Sequence, residues 1–386
     1  MGATEAIARA SDRVDAFAAT LDDSERDRSL SHRAVDLLHD TEVTRIMTPA
    51  AYGGHQATIR DLVEAERVIA HGSPAASWVL MVCAAHTFIV GRMPGAGQDD
   101  VFATDPGMLI PGVPSPRGTA MVSAGGYTIS GRWPYASGAD HGDWVLLGCQ
   151  GVRNEAGESC PSLLVVVPKD QVILDDTWFT LGMRGTGSKD VVVPDVEIPP
   201  HYAVHMGHAQ AGTVPDVDLP LYRLPIRPSL ATMLLGSIVG MAERGLDLFV
   251  DQARTRIDAY TGQQKAEAAG TQRRAAEASS EIACAWSLTQ QNCDLLDAAM
   301  ERDEPMVLED RAQVRWNAAY ASELCRRASE RLFGGAGAGA TFDENILQSV
   351  FRDLSTATHH AMLDFDNNVE LQGKAMLGVE QPEAAV

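Results

Sequence analysis

The chain has 386 residues, of which 45% are hydrophobic and 22% charged, enough apolar material for a dense core divided among two or three subdomains. Its 31 basic and 52 acidic side chains give a net charge of −21, which disfavours nucleic acid and anionic membrane surfaces as partners. Six scattered cysteines form no CxxC pair, and the N-terminus lacks the apolar stretch of a secretory signal, so a reducing cytoplasmic location is expected.

The first 106 residues predict an N-terminal α-helical domain from their 3.6-residue hydrophobic period. Amphipathic helices are predicted at residues 6–21, 28–38 and 58–70. Residues 72–91 carry no formally charged side chain, which approaches the ~20 residues needed to span a bilayer. This segment contains a proline, small polar residues and His86, so it is interpreted as a buried core helix.

Residues 107–211 predict a central small β-barrel domain, because short β-branched runs alternate here with glycine and proline turn signals. Residues 212–386 predict a C-terminal four-helix bundle. Its first residues, 212–228, are rich in proline and acidic residues and predict a linker. The four helical segments are expected near 229–257, 263–300, 308–333 and 343–377. This order predicts an α+β fold that is mainly α.

The first motif is GGYTISGRWPYASGADH, residues 125–141. Trp133 and Tyr135 alternate and should point the same way on an extended strand. Ser137 beside Gly138 offers a hydroxyl and open backbone N–H groups, so this loop could hold the edge of a flat heteroaromatic ring. An ordinary hairpin with one aromatic face packed inward fits the spacing as well.

A second motif, TWFTLGMRGTGSKDV at residues 177–191, places Thr186 and Ser188 among glycines that allow close approach of a ligand. The alternative is a tight β-connection. The third motif is FRDLSTATHH, residues 351–360, in which Arg352 and Asp353 could tie the helix to a neighbouring element. One imidazole of the terminal pair should face inward because adjacent helical residues point 100° apart, although a core histidine without chemistry fits too.

Together the three motifs resemble the oxygenase components of two-component aromatic hydroxylases, such as p-hydroxyphenylacetate hydroxylase and the steroid-ring phenol hydroxylases. The resemblance is carried by GRWPYASGADHGDW, LGMRGTGS and RDLSTATHH, and it extends from about Asp61 to Gly378. It implies an acyl-CoA dehydrogenase-like fold and a homotetramer that shares flavin sites across subunits.

The resemblance also implies roles for particular residues. A serine at the position of Ser137 lies by flavin N5, and the histidine matching His360 acts near the reacting side of the ring. The histidine matching His86 contacts the phenolic oxygen of the substrate. Four further residues are predicted to bind the flavin, the last of them through its phosphate: Trp133, Thr186, Ser188 and Arg256. His359 is predicted to bind the substrate, and its presence beside His360 leaves open which of the two histidines faces the flavin.

The implied reaction uses reduced FMN or FAD and molecular oxygen to form a C4a-hydroperoxyflavin, which hydroxylates a phenolic or polycyclic aromatic molecule. Such a site should bind reduced flavin better than oxidised flavin. No strand–GxGxxG–helix unit is present, because the glycines at 335–340 join two helices. The reduced flavin is therefore expected to arrive by diffusion from a separate NAD(P)H-dependent reductase.

Three alternatives remain open from the sequence. An acyl-CoA dehydrogenase would need a catalytic carboxylate, usually in a Tyr-Glu-Gly-Thr turn that this chain lacks. The same oxygenation mechanism could act on an amine nitrogen or a sulfur. A metal site at His201, His205 and His208 is disfavoured because no carboxylate accompanies them at helical spacing, so no metal is predicted.

Overall fold

The computed structural model describes residues 2–103, 105–302 and 304–380, and it confirms the predicted fold class, mainly helical with a β part. The helices that precede the sheet are α1 (Ala3–Ser11), α2 (Val14–Ala18), α3 (Leu21–Asp27), α4 (His32–Asp40), α5 (Ile59–Gly72), α6 (Pro74–Val90) and α7 (Gly95–Phe102). The single helix predicted at 6–21 is therefore divided between α1 and α2, whereas the helix predicted at 28–38 corresponds to α4.

Helices α5 and α6 both begin with side-chain caps. Thr58 and Asp61 form a reciprocal capping box at the start of α5. At the start of α6 the Ser73 side chain accepts from the backbone N–H of Ala76, and Pro74 occupies the first helical position. Helix α6 is buried at nearly every position, as predicted for the uncharged segment. Within the described residues, no helix meets the length and apolarity that a bilayer crossing requires.

The strands of the described residues form one seven-stranded sheet, in the order β5-β6-β2-β1-β3-β4-β7. Their bounds are β1 (Gly112–Ser123), β2 (Gly126–Ala136), β3 (Trp144–Gly151), β4 (Leu163–Pro168), β5 (Ile173–Asp175), β6 (Lys189–Ile198) and β7 (Ala203–His205). Neighbouring strands of this sheet run antiparallel, except that β1 and β3 run parallel. One face of the sheet encloses an apolar core around Trp133, and side chains from the other face of β3 and β4 pack with α6 and α7.

The C-terminal part consists of long helices that follow the short helix α8 (Met206–Ala211). They are α9 (Ile226–Thr255), α10 (Ala269–Glu301), α11 (Leu308–Gly335), α12 (Ile346–Ala357) and α13 (Phe365–Met376). The prediction of a continuous fourth helix at 343–377 is wrong, because the chain leaves the helix after Ala357 and resumes it at Phe365. The predicted linker is also shorter than expected, since α9 begins at Ile226.

Close packing of α5 on α9 fixes the frame to which α6 belongs. A Cβ atom at Gly236 would lie 2.4 Å from the carbonyl oxygen of Val63, and one at Gly240 would lie 2.4 Å from that of Arg67. Only glycine therefore permits this approach of the two backbones. Helix α6 lies between this pair and the sheet, and it also contacts α12.

Candidate active site

A cluster of three buried hydroxyl groups lies where β2 ends. The Oγ atoms of Ser137 and Ser188 are 2.8 Å apart, and Ser188 Oγ is 2.6 Å from Thr186 Oγ1. Thr186 Oγ1 donates to the carbonyl oxygen of Met183 at 2.8 Å, and the backbone N–H of Gly138 donates to the Thr186 carbonyl oxygen at 2.7 Å. The first two predicted motifs therefore meet through side chains and backbone.

The loop that carries Thr186 and Ser188 is anchored on α12. The backbone N–H of Met183 donates to Oδ1 of Asp353 at 2.6 Å, and the indole N–H of Trp178 donates to the Met183 carbonyl oxygen at 2.9 Å. Burial raises the pKa of Asp353 to about 7, against the opposing hydrogen bond from Met183. The carboxylate of the third motif thus ties its helix to a neighbouring element, as the sequence predicts.

Helix α6 supplies one wall of the site. A Cβ atom at Gly138 would lie 2.8 Å from Cγ1 of Val79 and 3.7 Å from Sγ of Cys83, so the loop after β2 packs directly on this helix. His86 follows Cys83 by three residues and Val79 by seven, and therefore lies on the same helical face, about 10 Å from Val79 along the axis.

The hydrogen bond of His86 fixes its tautomer. The ring is buried, and Nδ1 lies 2.7 Å from the carbonyl oxygen of Ile110. Since a carbonyl oxygen only accepts, Nδ1 carries the proton and Nε2 is left as an acceptor. Burial lowers the pKa of His86 to about 4, so the imidazole is neutral at physiological pH.

His360 approaches the same helix from the C-terminal side. Its ring packs edge-on against Trp78 of α6, with 5.9 Å between ring centroids. The backbone N–H of Met362 donates to Nδ1 at 3.3 Å, so the neutral ring carries its proton on Nε2. The ring remains accessible to solvent, yet the protein around it lowers the pKa of His360 to about 4 by desolvation.

His359 has a different position from its neighbour. Its Nδ1 donates to the carbonyl oxygen of Ser355 at 2.7 Å and so satisfies an open group at the end of α12. The rings of His359 and His360 were expected to diverge because of a 100° step along one helix. This reason is wrong, because α12 ends at Ala357, before both residues.

Trp133 and Tyr135 do not share a face, contrary to the prediction from strand alternation. Trp133 is fully buried in the core of the sheet, and its indole N–H donates to the carbonyl oxygen of Gly148 at 2.6 Å. Tyr135 is 67% exposed. Its φ of 73°, together with a shift in pairing with β6 before Ala136, breaks the two-residue alternation. Trp133 therefore packs in the core of the sheet, and its contact with flavin stays a prediction.

Arg256 lies far from the other predicted residues of the same chain. Its Nη1 donates to the carbonyl oxygen of Ala336 at 2.6 Å, and its groove also includes Asn345, which precedes α12. His360 follows the opposite end of α12, a helix of 12 residues that is about 18 Å long. Arg256 and His360 of one chain are therefore separated by roughly the length of this helix.

The three histidines of the alternative metal site diverge. Nε2 of His201 lies 3.4 Å from a carboxylate oxygen of Asp100, while the rings of His205 and His208 contact each other at 4.7 Å. In the part of the chain that the structure describes, no group of three or more potential metal ligands is assembled.

Three contributors to the site were missed in the sequence: Trp78, Trp178 and the carbonyl group of Met183. Trp78 precedes His86 by eight residues, so helical periodicity could have placed it near the same face. Trp178 acts through the Met183 carbonyl, and a backbone acceptor has no signature in the sequence.

Comparison with known proteins gives consistent results. The family "Acyl-CoA dehydrogenase, C-terminal domain" matches residues 233–365. A pigment production hydroxylase of a Rhodococcus species is 30% identical over 377 residues, covering 97% of this chain and 96% of the relative. The oxygenase subunit HsaA of a flavin-dependent monooxygenase from Rhodococcus jostii is 28% identical, covering 95% of this chain and 98% of that one.

Solved structures resemble the whole chain. The 3-HSA hydroxylase from a Rhodococcus species has a TM-score of 0.92 at 27% identity, and the match covers 99% of each chain. XiaF from a Streptomyces species, solved in complex with FADH2 and glycerol, has a TM-score of 0.91 at 27% identity, with 98% of this chain and 96% of that chain covered.

Proposed function

The chain belongs to the oxygenase components of two-component flavin-dependent monooxygenases, which hydroxylate aromatic substrates, and we propose that Ser137, His86 and His360 form its active site. The observation that carries this proposal is the convergence of the hydroxyl cluster and the two neutral histidines on α6. The two rings have opposite tautomers, so one Nε2 atom accepts and the other donates.

The residues of the site fit a reduced flavin. Ser137 provides a hydroxyl oxygen for the edge of a flat ring, and Ser188 and Thr186 are hydrogen-bonded behind it. His360 packs against Trp78 of α6 and is open to solvent. Reduced flavin, when bound, supplies the electrons that activate molecular oxygen for transfer to the substrate. The role of Ser137 is to hold the flavin N5 hydrogen, and the apolar residues of α6 exclude water from this side.

His86 would activate a phenolic substrate. Its Nε2 atom accepts a hydrogen bond from the phenol, and the hydrogen bond to the Ile110 carbonyl oxygen keeps Nδ1–H in place. Because the pKa of His86 is lowered to about 4 by burial, the ring polarises the phenol in the ground state. It would take the proton only as positive charge develops on the phenolic oxygen during oxygen transfer.

His360 would act as the hydrogen-bond donor on the opposite side. Its Nε2–H is the free donor of the neutral ring, since Nδ1 accepts from Met362. A neutral donor in desolvated surroundings stabilises negative charge on a departing oxygen without bringing in an acidic proton. His359 is left out of this role because its ring caps α12.

Arg256 would bind the flavin phosphate of a neighbouring subunit in a homotetramer. The length of α12 separates it from His360 of its own chain, which favours the flavin of a second copy as its ligand. Phe342 and Ile346, which line the Arg256 groove, are 65% and 44% exposed and offer apolar surface for such a copy. The guanidinium group would bind the phosphate that FMN and FAD share.

A separate reductase supplies the reduced flavin, and we propose that it does so by diffusion. Gly335 is the last residue of α11, and the glycines that follow it belong to a short 3-10 helix, Ala338–Thr341, and its start. A dinucleotide-binding turn would instead lie between a strand and a helix.

The experiment is to add chemically reduced FMN or FAD and oxygen to the purified protein with a panel of phenols, aromatic amines and thiophenes. Product per flavin oxidised should be measurable with at least one phenol, and His86→Ala should lower it about 10²- to 10⁴-fold. If only amines or thiophenes are converted, the reaction is N- or S-oxygenation and not hydroxylation at carbon. Release of hydrogen peroxide without product from every phenol, amine and thiophene would contradict the proposal.

A further inference from the structure

The hydroxyl cluster beside β2 has a fixed direction of proton donation. Thr186 Oγ1 lies 2.8 Å from the carbonyl oxygen of Met183, which can only accept, so the single hydroxyl proton of Thr186 is used there. In the 2.6 Å contact between Thr186 and Ser188, Ser188 must therefore be the donor. In the 2.8 Å contact between Ser188 and Ser137, the donor must be Ser137.

Every proton of this series, which we call the hydroxyl relay (Ser137, Ser188 and Thr186), is thus committed inside the protein. All three residues are at most 4% exposed, so water does not compete for their protons. Ser137 Oγ has donated its proton to Ser188, and toward any further group it can act only as an acceptor.

The start of the relay is held in place by two further elements. The Met183 carbonyl oxygen also accepts from the Trp178 indole at 2.9 Å, and the Met183 N–H donates to Asp353 at 2.6 Å. Reversing the relay would give up the buried hydrogen bond between Thr186 and Met183, which corresponds to about a 3- to 10-fold penalty.

We propose that Thr186 is a positioning residue that acts through Ser188 on Ser137 and makes the site select reduced flavin over oxidised flavin. This inference rests on the proposed function, in which Ser137 holds flavin N5. Reduced flavin carries a hydrogen on N5 and donates, whereas N5 of oxidised flavin has only a lone pair. The Ser137 oxygen can only accept, so it forms a hydrogen bond with N5–H of reduced flavin. It offers no proton to N5 of oxidised flavin, which is left without a partner.

The test is the ratio of two dissociation constants, measured under anaerobic conditions with FMN and with dithionite-reduced FMN. Thr186→Val removes the hydroxyl at nearly constant volume, and the Met183 carbonyl oxygen keeps its bond from Trp178. Ser188 loses the acceptor for its proton and can donate to Ser137 instead. The Ser137 proton then becomes free to turn toward N5 of oxidised flavin. We expect oxidised FMN to bind about 3- to 10-fold more tightly, with little change for reduced FMN. The two-electron potential of bound FMN should fall by about 15 to 30 mV.

Two variants separate this effect from a general disturbance of the loop. Thr186→Ser keeps the hydroxyl and should keep the wild-type ratio. Ser188→Ala breaks the relay at its centre and should shift the ratio in the same direction as Thr186→Val. Ser137→Ala should differ in kind, since it weakens reduced FMN and leaves oxidised FMN unchanged.

The outcomes distinguish the relay from the function on which it rests. A wild-type protein without affinity for reduced FMN overturns the proposed function. The relay alone is overturned if the wild type prefers reduced FMN and both Thr186→Val and Ser188→Ala keep that preference. It is also overturned if the wild type binds reduced and oxidised FMN equally well.

Discussion

Replacing Asp353 by asparagine is predicted to remove a pH-dependent cost from the folded protein. The carboxyl group is buried at the junction of α12 and the loop that carries the hydroxyl relay, and burial raises its pKa from 3.8 to about 7. An asparagine at this position keeps an oxygen that accepts from Met183, but it carries no charge.

The sign of the effect follows from the direction of the shift. Between pH 3.8 and about 7 the folded state binds the Asp353 proton more tightly than the unfolded state, so stability falls as the pH rises through this window. A shift of about three pKa units corresponds to roughly 4 kcal/mol in total. About 2 kcal/mol of this cost should develop between pH 5.5 and 8.

Urea unfolding of the wild type and Asp353→Asn at pH 5.5, 6.5, 7.5 and 8, at one protein concentration, measures this component. The difference in unfolding free energy between the two proteins should move by about 2 kcal/mol in favour of the variant as the pH rises. Asp170→Asn, which neutralises an exposed carboxyl group, is the matched control for the loss of one negative charge. A constant difference for Asp353→Asn would refute the assignment of a buried, titrating carboxyl group.

Three further predictions concern residues assigned above. His360→Ala should lower product per flavin oxidised by about 10²-fold or more and release hydrogen peroxide instead, while His359→Ala should stay near wild type; equal losses would contradict the choice between them. Arg256→Ala should weaken reduced FMN binding about 10-fold or more in a direct titration, whereas Arg254→Ala, at a side chain that is 71% exposed, should not. Trp133→Phe should lower the free energy of unfolding by about 1–3 kcal/mol with little change in flavin affinity, because the Gly148 carbonyl oxygen loses its donor; a large loss of flavin affinity would show that Trp133 contacts the flavin instead.

The sequence predicted the parts of this protein that depend on local pattern and charge. The uncharged run at 72–91 had to be buried, and α6 is buried at nearly every position. The adjacent Arg352 and Asp353 needed polar partners near the core, and Asp353 finds one in the backbone of Met183. Both results follow from the cost of leaving apolar surface in water or polar groups unpaired.

Other features depended on backbone geometry that periodicity cannot reveal. The alternation rule for Trp133 and Tyr135 assumes a regular strand, and a left-handed residue with a register shift breaks it. The histidine pair was placed on a continuous helix because apolar spacing extends past Ala357, but the chain ends α12 there. The direction of the hydroxyl relay could not be predicted, since it depends on a main-chain acceptor brought close by folding.

Helix α6 places Trp78, Val79, Cys83 and His86 at fixed heights and angles, and each meets a different part of the site. The site therefore constrains the number of residues between these contacts on α6. An apolar substitution of similar volume on α6 changes local packing, whereas a single inserted residue between Cys83 and His86 would rotate the imidazole by 100° and advance it by about 1.5 Å. Divergent relatives of this protein are therefore expected to vary the residues of this helix more freely than the number of residues between its contacts.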